Sequence, residues 1–121
     1  MGFVVEGIDH VALAVGDQKA SIAWYLDVLG LNRRFEAEWG DTPAVVASED
    51  GGLALFKAPP GDAGPVVRHV AFRVDRENFE AAQADFERRG ISFEFSDHGA
   101  AHSVYFLDPD GLQLELTTYE V

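Results

Sequence analysis

Two stretches of this chain are alike: Gly7-Ile8-Asp9-His10-Val11-Ala12-Leu13-Ala14-Val15 and Val66-Val67-Arg68-His69-Val70-Ala71-Phe72-Arg73-Val74 place His10 over His69 at an offset of 59 residues. A doubled unit constrains the fold more tightly than any single motif. Each half is too small to hide its own apolar sheet face, so the halves must pack together or with another chain.

The repeat continues past these strands. Ser21 to Leu29 and Asn78 to Glu87 carry apolar residues at three- and four-residue steps, the pattern of amphipathic helices. Their starts offer Asp17 or Ser21, and Asp75 or Asn78, as caps, and their ends run into Gly30-Leu31 and Gly90-Ile91, suited to left-handed carboxy-terminal caps. Strand candidates follow at about 33–39, 43–48 and 52–57, then at about 92–96, 102–107 and 111–117. The order βαβββ, twice, predicts an α+β fold in which two modules form a cupped, mostly antiparallel sheet with helices on its outer face. The 121 residues are the length of a single domain, with module 1 over about 6–57, a turn-rich linker over 58–65 and module 2 over about 66–118.

Strand alternation then sorts the side chains. Val11, Leu13 and Val15 suit packing under a helix, as do Val70, Phe72 and Val74, and Leu112, Leu114 and Leu116. The opposite face receives His10, His69 and Glu115 among small alanines. Two neutral imidazoles and one carboxylate leave several positions of a divalent metal open for substrate or oxygen. Trp39 and Phe56, turned toward that cavity, would give it an aromatic wall for a flat substrate. Arg73 points the same way and could hold a substrate carboxylate, or pair with Glu6 or Glu94. Asp108 and Asp110 flank Pro109 and Gly111, where turn chemistry accounts for them.

Composition narrows the chemistry. The absence of cysteine removes disulfides, thiolate catalysis and cysteine-bound metal, and suits a reducing, cytoplasmic setting. A formal charge of −12 would repel a phosphate backbone, so nucleic acid and anionic membrane are not expected partners. No apolar run reaches the roughly 20 residues that cross a bilayer. A small-molecule substrate is the expected partner.

The strands around His10 and His69, the helix Ala23-Trp24-Tyr25-Leu26-Asp27-Val28-Leu29-Gly30-Leu31 and the run from Val104 to Glu115 together resemble the vicinal oxygen chelate superfamily. It includes glyoxalases, extradiol dioxygenases, fosfomycin-modifying enzymes, epimerases and bleomycin-sequestering proteins. The resemblance implies metal ligands at His10, His69 and Glu115, with Fe(II) or Mn(II) favoured and Zn(II) or Ni(II) as alternatives, and a homodimer. Matching Gly52 to Gly111 sets Phe56 opposite Glu115, where glyoxalase-like members carry a fourth ligand. No carboxylate stands there, which favours a three-ligand site.

The run His98-Gly99-Ala100-Ala101-His102-Ser103-Val104-Tyr105, followed by Asp108-Pro109 and Glu115, resembles the carboxy-terminal signature of extradiol dioxygenases. By that resemblance Tyr105 hydrogen-bonds a substrate oxygen, and His98 or His102 moves a proton. The fosfomycin enzymes fit less well, because Ala12 stands where they place threonine and the chain stops six residues after Glu115. The expected activity is an extradiol-type dioxygenase. The alternatives are a glyoxalase- or epimerase-type lyase or isomerase, and a non-catalytic protein that sequesters a cationic drug.

Overall fold

The computed structural model describes residues 8, 10–59, 67 and 69–121. Glu6, Asp9 and most of the 58–65 linker lie outside them. The chain divides into two compact units, Met1–Pro65 and Val66–Val121.

Unit 1 contains β1 (His10–Val15), α1 (Gln18–Val28), β2 (Asn32–Arg34), α2 (Glu36–Trp39), β3 (Ala44–Ser48) and β4 (Gly51–Lys57), and its strands lie in the order β1-β4-β3-β2. Unit 2 contains β5 (His69–Arg73), α3 (Arg76–Arg89), β6 (Glu94–Asp97), β7 (His102–Leu107) and β8 (Gln113–Thr118), in the order β5-β8-β7-β6. In each unit the first strand runs parallel to the last, and the other pairs are antiparallel. The architecture is α+β, with two four-stranded mixed sheets.

Both long helices begin and end as their residues dictate. Asp17 accepts a hydrogen bond from the Ala20 amide at 3.0 Å, and Asp75 from the Asn78 amide at 2.8 Å, each satisfying a first-turn donor. Gly30 and Gly90 take φ of +66° and +73°. At the second end the Ile91 amide donates back to the Phe86 carbonyl at 2.9 Å, closing a left-handed cap.

One face of each sheet is closed by its helix. In unit 1, α1 lies against β3 and β4, and Tyr25, Val15, Val46, Leu53 and Leu55 are fully buried. In unit 2, Phe79 and Phe86 of α3 are buried, and the Phe86 ring sits 4.6 Å from that of Phe106, above Val104 and Leu114. Such side chains contribute roughly 1.5–3 kcal/mol each by leaving water. Of the sets assigned by alternation to the helix side, Leu13, Val15, Leu114 and Leu116 are buried, and Val11, Val70, Phe72, Val74 and Leu112 are half-buried.

The segment expected as a strand over 33–39 departs from expectation. Only Asn32–Arg34 is extended, and Glu36–Trp39 form a single helical turn. Phe35 between them takes the left-handed conformation, φ 62° and ψ 24°, which breaks the strand. Arg33 secures the reversal: its guanidinium donates to the Gly40 carbonyl at 3.0 Å and to Asp41 Oδ1 at 2.7 Å, and pairs with Glu36 at 3.1 Å.

Candidate functional site

The face of unit 2 turned away from α3 is polar. The register sets His69 beside Gln113, Ala71 beside Glu115, Arg73 beside Thr117 and Tyr105 beside Glu115, so His69, Arg73, Tyr105, Glu115 and Thr117 share it. His69 Nε2 stands 3.3 Å from Glu115 Oε1. Glu115 is 8% exposed, and the buried Ser103 hydroxyl donates to its other oxygen at 2.7 Å. Ser103 also lies 3.2 Å from the Thr117 hydroxyl. The carboxylate is therefore oriented from behind while one oxygen faces the imidazole.

Tyr105 extends the same face. Its ring meets His69 edge-on at 6.3 Å, and its hydroxyl lies 2.9 Å from His98 Nε2. His98 sits in the exposed loop before β7, where the His98 amide donates to the Ala101 carbonyl at 2.8 Å. His102 does not join them. As a β7 residue of opposite parity to Tyr105 it lies on the helix side, where Arg76 donates to its Nδ1 at 3.2 Å, Asp97 lies 3.5 Å from Nε2 and the Phe95 ring meets its own edge-on at 5.2 Å. Arg73 lies on the edge strand β5 and Glu94 on β6 at the opposite edge of the sheet.

Unit 1 presents a different surface at the equivalent place. His10, Ala12 and Ala14 of β1 share a face with Gly52, Ala54 and Phe56 of β4, with Val45 and Ala47 of β3, and with Arg34 of β2. A cavity of about 430 Å³ opens on it, lined by His10, Arg34, Phe35, Trp39, Ala54 and Phe56 among others. Trp39 and Phe56 both line this cavity, Trp39 from the helical turn that replaces the strand expected over 33–39. Gly52 is required by close packing, since a Cβ there would stand 2.5 Å from the Val46 carbonyl oxygen.

The register corrects the pairing of the two units. Ala12 pairs with Ala54 as Ala71 pairs with Glu115, so the counterpart of Glu115 is Ala54, at an offset of 61, and not Phe56. One residue of that growth arises before β3, since Val45 matches Tyr105 at an offset of 60, and the other in the β7–β8 connection, which is longer than the two-residue turn between β3 and β4. Asp108 organises that connection by accepting from the Asp110 and Leu112 amides, both at 2.8 Å. The position matched to Glu115 in unit 1 is thus an alanine, 3% exposed, which lines the cavity.

The His69 and Glu115 donor set fits a divalent cation. Two ligand atoms at about 2.1 Å from one ion, subtending 90–109°, stand about 3.0–3.4 Å apart, which brackets the 3.3 Å seen. The Ser103 hydroxyl is the kind of outer partner that fixes a ligating carboxylate. Among the described residues no group of three His, Cys, Asp or Glu side chains is gathered to hold a metal. Ser103 and Arg34 were not singled out in the sequence; the signal for both was register, with Ser103 two residues before Tyr105 and Arg34 across from Val45.

Paired βαβββ units, a His–carboxylate pair in the second and a small-residue cavity in the first define the class to which known proteins can be compared. Residues 7–116 match the Glyoxalase/Bleomycin resistance protein/Dioxygenase superfamily, and the chain belongs to it. It is 31% identical over 119 residues to glutathione transferase FosA of Serratia marcescens, covering 93% of this chain and 81% of that one. It is 30% identical to the uncharacterized protein YaeR of Escherichia coli K12, over 90% of this chain and 93% of that one. Among solved structures, lactoylglutathione lyase from Agrobacterium tumefaciens shares the fold with a TM-score of 0.77 at 24% identity, over 94% of each chain. No helix among the described residues is long and apolar enough to cross a membrane.

Proposed function

We propose that the protein is a divalent-metal-dependent enzyme acting on a small substrate with adjacent oxygens, and that within its superfamily it works as an extradiol-type dioxygenase. The observation that carries this is the 3.3 Å approach of His69 Nε2 to Glu115 Oε1 on the same face as the hydrogen-bonded Tyr105 and His98. His10 is the third ligand in this reading, meeting the pair within one chain or across a homodimer. Fe(II) or Mn(II) suits such a mixed nitrogen and oxygen set, with Zn(II) or Ni(II) as alternatives. The ion, when bound, supplies Lewis acidity toward two adjacent oxygens and a redox-active centre.

The chain's own groups do the rest. Ser103 holds Glu115 so that one carboxylate oxygen stays available, and Tyr105 offers its hydroxyl to a substrate oxygen. His98 Nε2, bonded to that hydroxyl, accepts or returns its proton. His102, engaged by Arg76 on the other side of the sheet, has no part in this scheme. A four-ligand glyoxalase is disfavoured by Ala54.

The purified protein, reconstituted anaerobically with each of the four metals, is expected to bind one equivalent, and Glu115→Gln to lower metal affinity by more than about 100-fold, beyond the 10–100-fold typical of an outer-partner loss. Oxygen uptake is then measured with a panel of catechols. A protein that takes up no metal, or whose uptake survives both His69→Ala and Glu115→Gln, would not be this enzyme. The identity to glutathione transferase FosA favours a second reading, addition of a thiol to a small oxygen-rich substrate. Thiol consumption without oxygen uptake would select it.

A further inference from the structure

We propose that the unit 1 cavity binds a planar aromatic ligand of one or two rings carrying a carboxylate, with the ring against Trp39 and Phe56 and the anionic group at Arg34. This rests on the reading above for its meaning as a substrate site, and it names the class of substrate.

The cavity has the shape and chemistry of a slot for a flat ring. Its floor is Gly52, Ala54, Ala47 and Val45, of which only Val45 carries more than a methyl group. Its walls are aromatic: the Phe35 and Trp39 rings meet at 4.6 Å, tilted by 40°, and Trp39 and Phe56 are 50% and 43% exposed. Large rings left in water around one concavity mark a place where something apolar docks. A volume of about 430 Å³ lies at the small end for ligand sites, enough for one or two rings with a substituent.

The aromatic wall is also held in place. Phe35 keeps a left-handed backbone that a β-carbon disfavours by roughly 1–2 kcal/mol, and Arg33 clasps the turn that follows. Buried Gln18 donates to the Asp41 carbonyl at 2.7 Å and to the Leu55 carbonyl at 2.9 Å, tying the far end of that segment to β4. Trp39 is thus presented by a segment anchored on both sides.

Arg34 supplies the anion specificity. Its guanidinium donates to the Ser48 carbonyl at 2.8 Å and pairs with no carboxylate among the described residues. In a chain of net charge −12, a cation lining an apolar cavity without an acidic partner is unusual. Its planar fork matches a carboxylate in two-point contact, and against the repulsion of the acidic surface an anion requires such a local cation.

Metal-free protein titrated calorimetrically with 2-naphthoate and with neutral 2-naphthamide tests this. Naphthoate should bind more tightly, and Arg34→Gln should weaken naphthoate by about tenfold or more while leaving the amide unchanged, as loss of a charge-assisted contact dictates. Arg34→Lys should recover part of the loss. Ala54→Leu, which fills the floor, should weaken both probes, with circular dichroism showing the variants folded. Equal affinity for the two probes, binding of neither, or indifference of naphthoate to Arg34→Gln would overturn the assignment, as would indifference of both probes to Ala54→Leu. Because no metal is present, such a failure leaves the proposed metal chemistry standing. Intact naphthoate binding in a protein that takes up no metal would instead remove that chemistry alone.

Discussion

The open faces of the two units share a scaffold and almost none of their side chains. Position by position, His10 matches His69 and Ala12 matches Ala71, and there the likeness stops: Ala54 stands for Glu115, Val45 for Tyr105, Gly52 for Gln113, Phe56 for Thr117 and Arg34 for Glu94. Pro43, two residues before Val45, occupies the place of Ser103, so the hydroxyl that steadies Glu115 has no counterpart. One face is built of hydrogen-bonded polar groups, the other of small and aromatic surface with His10 and Arg34 at its edges. The difference teaches that the fold supplies positions, while the choice of residue at five or six of them decides which groups each face presents.

Several substitutions would break or sharpen that contrast. The largest effect should come from the faces the two units have in common: Phe86→Ala removes a ring packed on Phe106 and should cost about 3–5 kcal/mol in chemical denaturation. A loss below about 1 kcal/mol would mean the helix side is not the core. Next, Ala54→Glu imposes the polar pattern on the apolar face. It buries a carboxylate without the Ser103-type donor and should cost about 3 kcal/mol at neutral pH. Burial raises the folded-state pKa of such a group, so the deficit should shrink as pH falls and the carboxyl becomes protonated, measured as unfolding midpoints across pH 4–8.

Ser103→Ala should lower metal affinity by about 10–100-fold, read by titration against a competing chelator, with a smaller change in stability. Unchanged affinity would reduce Ser103 to a packing residue. The smallest effects test what the units share: Asp17→Ala and Asp75→Ala each delete one cap and should each cost about 1 kcal/mol by thermal unfolding. A much larger cost at one of them would show that the two helices are not equivalent.

The repeat and both glycine ends could be read from residues alone, because each depends on near neighbours in the chain, and of the two cap candidates at each helix the structure uses Asp17 and Asp75. The turn at Glu36–Trp39 could not: a left-handed phenylalanine and an arginine reaching forward to Gly40 and Asp41 override a stretch that reads as strand. Matching Phe56 to Glu115 assumed turns of equal length, and hydrogen-bond register shows they differ. His98 and His102 were inseparable in sequence, four residues apart in one loop and strand. Strand parity divides them, sending one ring to Tyr105 and the other to Arg76.

The growth of the offset from 59 at the histidines to 61 at Glu115 has a wider meaning. The register runs unbroken along the paired strands, so the growth of the offset falls in the segments between them. An insertion inside a strand would turn every later side chain over, exchanging interior for exterior. Confined to connections, drift in length leaves the lattice of positions intact. A doubled protein can then let one copy specialise by single substitutions, as Ala54 and Glu115 have diverged here, without ever renegotiating its fold.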